Sequence, residues 1–222
     1  MKILISGYGR MGHMIESVIL EKGLPYAGWS EDVQSVPAEI AAECVCIDFT
    51  TPDAFRTNYR CLAEKFTAVV VGTTGWGDIA EEVKACFEQN GTPMIYASNY
   101  SIGVNVLFAT AKYMGELLKK FGGYEPSIEE IHHIHKLDAP SGTAKSLAAV
   151  VEGAMGIEVP VTAQRIGEVP GIHTLTVKSG CDCLTLGHEA FSREGFARGA
   201  VQAALMTENL KGVHEFKDIM FD

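Results

Sequence analysis

The N-terminal part of the chain alternates short apolar runs with longer segments of helical periodicity. Such runs are typical of strands buried on both faces. The predicted strands are Lys2–Ser6, Pro25–Ser30, Glu43–Phe49, Thr67–Val71 and Pro93–Ala97. The predicted helices are His13–Lys22, a short one in Val36–Ala42, one from Pro52 to Lys65 capped by Thr51 or Asp53, and Asp78–Gln89, which stops at Asn90-Gly91. This alternation predicts a Rossmann-like, doubly wound parallel sheet.

The pattern changes after Gly103. We predict a long helix, a strand, a second helix, and then two alternating segments in the manner of a hairpin. Their bounds are Val104–Phe121, Glu125–His135, Ser141 to about Met155, Gly171–Ser179 and Asp182–Ala190, while Val159–Gly167 is broken by Pro and Gly. A last helix, Ser192–Leu210, is expected to return to the first domain. The fold class is therefore α/β, with one domain in residues 1–100 joined by 194–222, and an α+β domain with a mixed sheet in residues 101–193.

Composition excludes several classes of function. The chain has 222 residues, of which 47% are hydrophobic and 21% charged, as in ordinary soluble globular proteins. Its net charge of −10 argues against a nucleic-acid partner. No apolar run approaches the roughly 20 residues that span a bilayer. Because a strand begins at once, we expect no secretory leader. The six cysteines form no C-x-x-C pair, and we expect them to be reduced thiols in a cytoplasmic protein.

A glycine pattern follows the first strand and opens the first helix. Its residues are Gly7, Tyr8, Gly9, Arg10, Met11 and Gly12, a G-x-G-x-x-G in the strand-turn-helix context of a dinucleotide site. Gly7 allows the tight turn, Gly9 lets the backbone approach a pyrophosphate, and Gly12 lets helix and strand pack closely. The alternative is a glycine-rich turn without a ligand.

Other loops should meet this motif, because ligands of doubly wound sheets bind beyond the carboxyl ends of the strands. The residues expected there, besides Thr50, are Gly72, Thr73, Thr74, Ala97, Ser98, Asn99 and Tyr100. After the second strand, Glu31 and Asp32 lie where an acid normally holds the adenosine ribose, although Ser30 could take that position. Arg10 could face a 2′-phosphate or be a solvated residue of the helix start. The choice between NAD and NADP stays open.

The most distinctive stretch runs from Glu130 to Ala144 and reads EIHHIHKLDAPSGTA. On a regular strand Glu130, His132, Ile134 and Lys136 share one face, and Ile131, His133 and His135 share the other. His132 can donate a proton near neutral pH, and Lys136 can hold a carboxylate or share that donation. The amides of Gly142 and Thr143 open a helix and can hold the same or a second carboxylate. A small dicarboxylate is the predicted substrate.

Three close histidines could instead bind zinc or hydrogen-bond within a sheet. We predict no metal, since His132 and His133 point to opposite strand faces and no cysteine lies near them in the sequence. His173 and His188 are expected to be structural or interfacial. Arg165 is a candidate for a further anion contact.

The same stretch resembles the signature E-x-H-H-x-x-K-x-D-A-P-S-G-T-A of the dihydrodipicolinate reductases, also called 4-hydroxy-tetrahydrodipicolinate reductases, of lysine and diaminopimelate biosynthesis. The resemblance extends over the whole chain, in family order, through GYGRMG, IDFT, GTTG, SNYSIGVN and REGFARGA. It implies that the chain reduces its substrate with NADH or NADPH. It also implies that the second domain binds substrate and builds a homotetramer.

By this resemblance His132 is the proton donor, Lys136 a second donor or carboxylate holder, and His133, Gly142 and Thr143 contact substrate. A strictly regular strand would point His133 away, so the strand must twist or end there. The glycine motif, Gly72 to Thr74 and Ala97 to Tyr100 hold the cofactor. The chain departs from the family in being short between its second and third strands, and in having Ser-Asn-Tyr where Ala-Asn-Phe is common; Tyr100 is expected to keep an aromatic platform.

Two other functions compete with this one. Diaminopimelate or aspartate dehydrogenases would share the first domain but should lack the His-His-x-x-Lys and Ser-Gly-Thr combination. A non-catalytic NAD(H) sensor would need an effector surface, for example a basic DNA-binding helix. The net charge of −10 and the lack of a helix-turn-helix pattern in the sequence argue against it.

Overall fold

The computed structural model describes residues 1–221, and the chain divides into two compact units. Met1–Ser101 and the segment from Glu194 onward form the first unit, and Ile102–Arg193 form the second. The strands are β1 Lys2–Ser6, β2 Tyr26–Ser30, β3 Cys44–Asp48, β4 Ala68–Val71, β5 Met94–Tyr96, β6 Glu125–His132, β7 Val161–Arg165, β8 Ile172–Lys178, β9 Cys183–Glu189 and β10 Val213–Glu215. The helices are α1 Arg10–Glu21, α2 Ala38–Ala41, α3 Pro52–Lys65, α4 Ala80–Asn90, α5 Ile102–Lys119, α6 Gly142–Met155, α7 Glu194–Met206 and α8 Phe216–Ile219. No helix among residues 1–221 is long and apolar enough to cross a membrane.

The first unit contains a six-stranded parallel sheet in the order β10-β5-β4-β3-β1-β2. Successive side chains of a strand point to opposite faces of the sheet, so the strands contribute to two hydrophobic cores, one on each face. On one face Ile5 and Ile47 pack with α1 and α7, and on the other Cys46 and Val69 pack with α3 and α4. The predicted fold class is confirmed. The layers leave the carboxyl ends of β1, β3, β4 and β5 at one edge.

Local signals at the helix ends act as expected. The Thr51 hydroxyl accepts from the Ala54 amide at 3.2 Å and caps α3, whereas Asp53 lies inside the first turn. Gly91 ends α4 with a left-handed φ of 67°, a conformation in which glycine carries no Cβ penalty. The edge strand β10 was not predicted. It is three residues long, and its pairing with Met94–Tyr96 forms it.

The second unit contains a four-stranded sheet in the order β7-β6-β8-β9. β6 is antiparallel to β8 and parallel to β7, and β8 is antiparallel to β9. The apolar faces of α5 and α6 cover one side through Leu107, Leu147 and Val151. The opposite side carries exposed residues such as Ser127 and Glu129. β7 was not predicted as a strand, and its parallel pairing is what makes the sheet mixed.

The strand that carries the histidines is shorter than predicted. β6 ends at His132, and the backbone turns over the next four residues, with the Lys136 amide donating to the His133 carbonyl at 3.1 Å. The alternation holds for Glu130 and His132, which are buried, and fails beyond them. Ile134 is exposed because it lies in the turn. The faces predicted for His133 and Lys136 therefore do not apply.

Candidate functional site

The glycine motif forms a tight turn into α1. Gly7 has a φ of 86°, and a Cβ there would lie 2.6 Å from the Phe49 carbonyl oxygen. A Cβ on Gly12 would lie 2.4 Å from the Gly7 oxygen, so both positions require glycine for packing. Gly9 differs, because a Cβ there would meet nothing within 4 Å. Gly9 caps α1 without a side-chain hydrogen bond, so the first turn of the helix offers amides to an anion, as a dinucleotide pyrophosphate would need.

The flanking residues of the motif have separate surroundings. Arg10 is exposed at the start of α1, and Met11 packs against the core. The Tyr8 ring stacks on Trp29, with centroids 4.3 Å apart and planes 6° from parallel, and its hydroxyl contacts Glu16. Trp29, half-exposed near the end of β2, was missed by sequence reasoning, although a tryptophan at a sheet's ligand edge is itself a signal.

The two acidic residues after β2 differ in their hydrogen bonding. The Asp32 carboxylate accepts from the Gln34 amide at 3.0 Å and caps a 3-10 helix. The Ser30 hydroxyl donates to the Asp32 carbonyl at 2.8 Å. The exposed Glu31 side chain makes no hydrogen bond or ion pair within residues 1–221. Of the two acids, Glu31 is thus the one whose side chain has no partner among residues 1–221.

Asp48 joins the loops at the carboxyl ends of β1, β3 and β4. It is completely buried, and its oxygens accept from the hydroxyls of Ser6 at 2.7 Å, Thr73 at 2.6 Å and Thr50 at 3.0 Å. Burial raises the pKa of Asp48, and these hydrogen bonds oppose that rise. Sequence reasoning missed this role, although an aspartate inside an apolar strand is a usable signal.

A pocket of about 280 Å³ lies beside the ends of β4 and β5. Thr73, Thr74, Ala97 and Ser98, four of the predicted cofactor residues, line it together with Trp76. The Thr73 side chain is committed to Asp48. The neighbouring Gly72 admits the Phe49 ring, since a Cβ there would lie 2.1 Å from it.

The expectation that Tyr100 offers an aromatic platform is wrong. Its side chain is 2% exposed, its ring packs 5.1 Å from that of Phe216, and its hydroxyl lies 2.9 Å from the carbonyl oxygens of Val71 and Ile95. Burial raises the pKa of Tyr100 well above its ordinary value. Only its backbone remains for a ligand. Beside it the Asn99 side chain accepts from the Ser101 amide at 2.8 Å.

The second unit gathers a buried polar cluster around Glu130, whose side chain has no exposed surface. One carboxylate oxygen accepts from Arg165 Nη2 at 3.0 Å and from the Ser141 amide at 3.1 Å. The other contacts His132 Nδ1. Parallel pairing sets Arg165 beside His132, and antiparallel pairing sets His173 beside Glu130, so three strands build the cluster.

His173 belongs to this cluster. Its Nε2 lies 3.2 Å from the Ser141 hydroxyl, and its ring centroid lies 5.1 Å from that of His132. Burial lowers the pKa of His173 from its ordinary 6.5 to about 4, helped by the nearby His132. The structural role expected for His173 agrees with these contacts, but sequence reasoning missed its place beside His132, since the pairing of β6 with β8 cannot be read locally.

The pKa values of His132 and Glu130 are each subject to opposing effects. Burial lowers the pKa of His132, while Glu130 acts in the opposite direction. Burial also works to raise the pKa of Glu130, but hydrogen bonds from Arg165, His132 and Ser141 outweigh it and hold that pKa below its ordinary value. Glu130 is therefore a carboxylate at neutral pH.

The remaining predicted residues lie around the turn after β6. Lys136 Nζ is 2.7 Å from Asp138 Oδ1. Gly142 is exposed at the start of α6, with no atom within 4 Å of a Cβ built on it, and Thr143 is half-buried. The His133 ring is half-buried, and its Nδ1 has no hydrogen-bond partner among residues 1–221.

Arg165 does not offer the anion contact considered for it. Its guanidinium donates to Glu130, to the carbonyls of Lys136 at 3.3 Å and Asp138 at 2.5 Å, and to that of Gln164 at 2.6 Å. All three of its nitrogens are used inside the protein.

Among residues 1–221, Glu130, His132 and His173 are the one group whose ligand atoms lie close enough together for a metal, within 4.8 Å. The Arg165 guanidinium and the Ser141 amide already occupy one oxygen of Glu130, and His132 takes the other. A cation would have to displace a charged guanidinium. The donor set therefore fits an internal ion pair better than a metal.

Comparisons with known proteins point one way along the whole chain. Residues 1–100 match the family model described as dihydrodipicolinate reductase, N-terminus, and residues 103–220 match the model for its C-terminus. The chain is 35% identical over 235 residues to a 4-hydroxy-tetrahydrodipicolinate reductase of Christiangramia forsetii, covering 100% of this chain and 98% of that protein. It is 35% identical over 198 residues to one of Methanopyrus kandleri, covering 80% and 71%.

A solved structure shares the fold over the full length. Dihydrodipicolinate reductase from Paenisporosarcina sp. TG-14, bound to dipicolinate, aligns with a TM-score of 0.84 at 19% identity, covering 98% of each chain.

Proposed function

The chain belongs to the dihydrodipicolinate reductase family, and on that premise we propose that it reduces 4-hydroxy-tetrahydrodipicolinate to tetrahydrodipicolinate, in lysine and diaminopimelate biosynthesis, with NADH or NADPH. The observation that carries the proposal is the cluster in which a buried carboxylate contacts His132, next to the turn that bears Lys136. Similarity to two reductases, one matched over the full length and one over 80% of this chain, supports the same reaction.

The first unit has the dinucleotide-binding fold, and its residues fit a nicotinamide cofactor. When bound, the reduced cofactor supplies a hydride. The residues that would hold it are Gly7, Tyr8, Gly9, Arg10, Met11, Gly12, Gly72, Thr73, Thr74, Ala97, Ser98, Asn99 and Tyr100, the last through its backbone. The open space at Gly9 and the uncapped start of α1 support this assignment.

The second unit would bind and protonate the substrate. The 4-hydroxyl group of the substrate leaves as water, which gives the unsaturated ring that takes the hydride. His132, as imidazolium, gives a proton to the carbon next to the one that takes the hydride. Lys136 and the α6 amides of Gly142 and Thr143 hold the carboxylates of the di-acid, because a helix N-terminus and an ammonium both favour anions. His133 adds a polar contact from the turn. The ligand of the Paenisporosarcina relative is a dicarboxylate of this kind.

The test is oxidation of NADH or NADPH followed by absorbance, with dihydrodipicolinate synthase supplying substrate in a coupled assay. His132→Gln should lower kcat by about 10²–10⁴-fold, the usual contribution of general acid catalysis, and nearly spare cofactor binding. The control is His135→Gln, an exposed histidine of the same segment that pairs with Glu168 at 3.1 Å. Intact turnover in His132→Gln would contradict the mechanism, and cofactor binding without any turnover would favour a sensor.

Lys136→Ala should raise the KM for the di-acid as well as lower kcat, because it removes a charge that holds a carboxylate. An unchanged KM and kcat in Lys136→Ala would contradict the proposed role of Lys136.

We further propose a homotetramer located in the cytoplasm. Within residues 102–193 no helix covers the side of the sheet that bears Ser127 and Glu129, opposite α5 and α6, and these exposed residues support an interface there. Light scattering coupled to gel filtration distinguishes a tetramer from a monomer of 24.0 kDa.

A further inference from the structure

Glu130 is the most deeply buried charged group of the second unit's site, and charged or polar groups contact both of its carboxylate oxygens. Its Oε1 receives Arg165 and the Ser141 amide, and its Oε2 faces His132 Nδ1. A carboxylate can only accept hydrogen bonds. His132 must therefore carry a proton on Nδ1, which leaves Nε2 as the nitrogen that exchanges the second proton.

The other ring nitrogen points away from this ion pair. His132 Nε2 is the nearest protein atom to a Cβ built on Gly171, at 3.0 Å, and the missing side chain leaves room there. The imidazole is thus held at Nδ1 by a carboxylate, and the glycine at position 171 keeps a side chain away from Nε2. A general acid needs this division, since the nitrogen that delivers the proton must be able to reach the substrate atom that receives it.

Arg165 connects the imidazole to the lysine turn. The nitrogen that binds Glu130 also donates to the Asp138 carbonyl, and Nε donates to the Lys136 carbonyl. One guanidinium therefore joins the carboxylate behind His132 to the backbone on both sides of Leu137. Arginine suits this position because its planar fork serves several acceptors at once.

We propose that Glu130 and Arg165 act as a positioning pair, in which Glu130 fixes His132 as the Nδ1–H tautomer with Nε2 directed at the reacting carbon and Arg165 sets the Lys136 turn against it. This inference rests on the proposed function. Neither residue needs to touch substrate, and a buried carboxylate that orients an imidazole is a known way to raise its efficiency. Glu130 also stabilises the imidazolium needed for proton donation.

The charged and titratable groups around His132 act in both directions. Glu130 on its own strand favours the imidazolium, whereas Arg165 on β7 and Lys136 in the turn disfavour it. His173 on β8 also faces His132, but its pKa of about 4 makes it neutral at neutral pH, so it adds no charge there. Replacing Glu130 by a neutral residue leaves only the opposing groups. The pH above which His132 loses its proton must then move down.

The first test uses Glu130→Gln, which keeps the shape and removes the charge. The expected kcat at neutral pH is about 10- to 100-fold lower, with cofactor Kd unchanged, and the alkaline limb of the kcat–pH profile moves to lower pH. Arg165→Lys keeps the positive charge but loses the fork, so kcat should fall while that limb stays in place. Glu158→Gln, which makes the same change of charge at an exposed residue between α6 and β7, is the matched control.

A second measurement does not depend on turnover. Nitrogen-15 NMR of the ligand-free protein reports the tautomer of His132, identified by its loss in His132→Gln. The Nδ1–H form is expected in the wild type and a mixture in Glu130→Gln. An Nε2–H form in the wild type, or an alkaline limb that Glu130→Gln leaves in place, overturns the positioning role. An inactive wild type with the Nδ1–H form would instead contradict the proposed function alone.

Discussion

Lys136 and Asp138 form an ion pair across a single intervening residue, with Nζ 2.7 Å from Oδ1. The hydrogen bond from Lys136 holds the pKa of Asp138 below its ordinary value, and the Gly142 amide adds to it. A carboxylate of the chain itself thus engages two of the groups that we propose for a substrate carboxylate. A substrate carboxylate must therefore displace the Asp138 carboxylate from Lys136 and from the Gly142 amide.

We expect Asp138→Asn to tighten binding of dipicolinate, used as a dicarboxylate probe, by roughly 2- to 5-fold, the scale of a partly exposed ion pair. Isothermal titration calorimetry of the ligand-free protein measures this. Glu168→Gln makes the same change of charge at the exposed partner of His135 and should leave Kd unaltered. Equal or weaker binding by Asp138→Asn would show that Asp138 does not compete.

Gly171 keeps space open for His132. A methyl group at this position would lie 3.0 Å from Nε2 and press on the nitrogen that delivers the proton. Gly171→Ala should lower kcat by about 10-fold or more, since small displacements of catalytic groups are costly, and leave cofactor Kd unchanged. Gly123→Ala, where φ is also positive at 73° but a Cβ meets nothing within 4 Å, is the control for backbone strain. Equal kcat values in the two variants would contradict the prediction.

Glu31 should set the preference between the two cofactors. As the available acid after β2, it can accept from a ribose hydroxyl and repels a 2′-phosphate. Glu31→Gln is expected to raise kcat/KM for NADPH relative to NADH, and Arg10→Ala to lower it. Steady-state kinetics with both cofactors give the ratio. If neither substitution moves it, the adenosine contact lies elsewhere.

Asp48 should contribute strongly to stability. Its removal in Asp48→Ala leaves the hydroxyls of Ser6, Thr50 and Thr73 without their buried acceptor. We expect the free energy of unfolding to fall by about 2–4 kcal/mol, measured by urea denaturation. Asp53→Ala, an exposed residue in the first turn of α3, should cost under about 1 kcal/mol. Similar losses in both variants would disprove the special role of Asp48.

His173 should make stability depend on pH. Its folded pKa of about 4 lies below the ordinary 6.5, so between these values the unfolded chain binds a proton that the folded chain does not. The free energy of unfolding is therefore highest above pH 6.5. It falls as the pH drops toward 4, by roughly 3 kcal/mol in total. Urea unfolding at pH 7.5 and 4.5 measures it. His173→Gln should flatten the dependence, and an unchanged slope would assign it to other groups.

Much of the molecule follows from local pattern. The turn at Gly7, the cap at Thr51 and the stop at Gly91 each depend on a few neighbouring residues, so the sequence predicts them. The period-two burial of Glu130 and His132 is local in the same sense. These patterns, with the signature around them, were enough for the fold class and the family.

Other features depend on partners far along the chain. β10 and β7 exist because they pair with β5 and β6, and Tyr100 is buried because distant residues close over its ring. By itself the sequence determined which residues are available for chemistry: His132, Lys136 and the glycines. Only the tertiary structure decided that Arg165 binds Glu130 rather than an anion, because it brings together residues 35 positions apart.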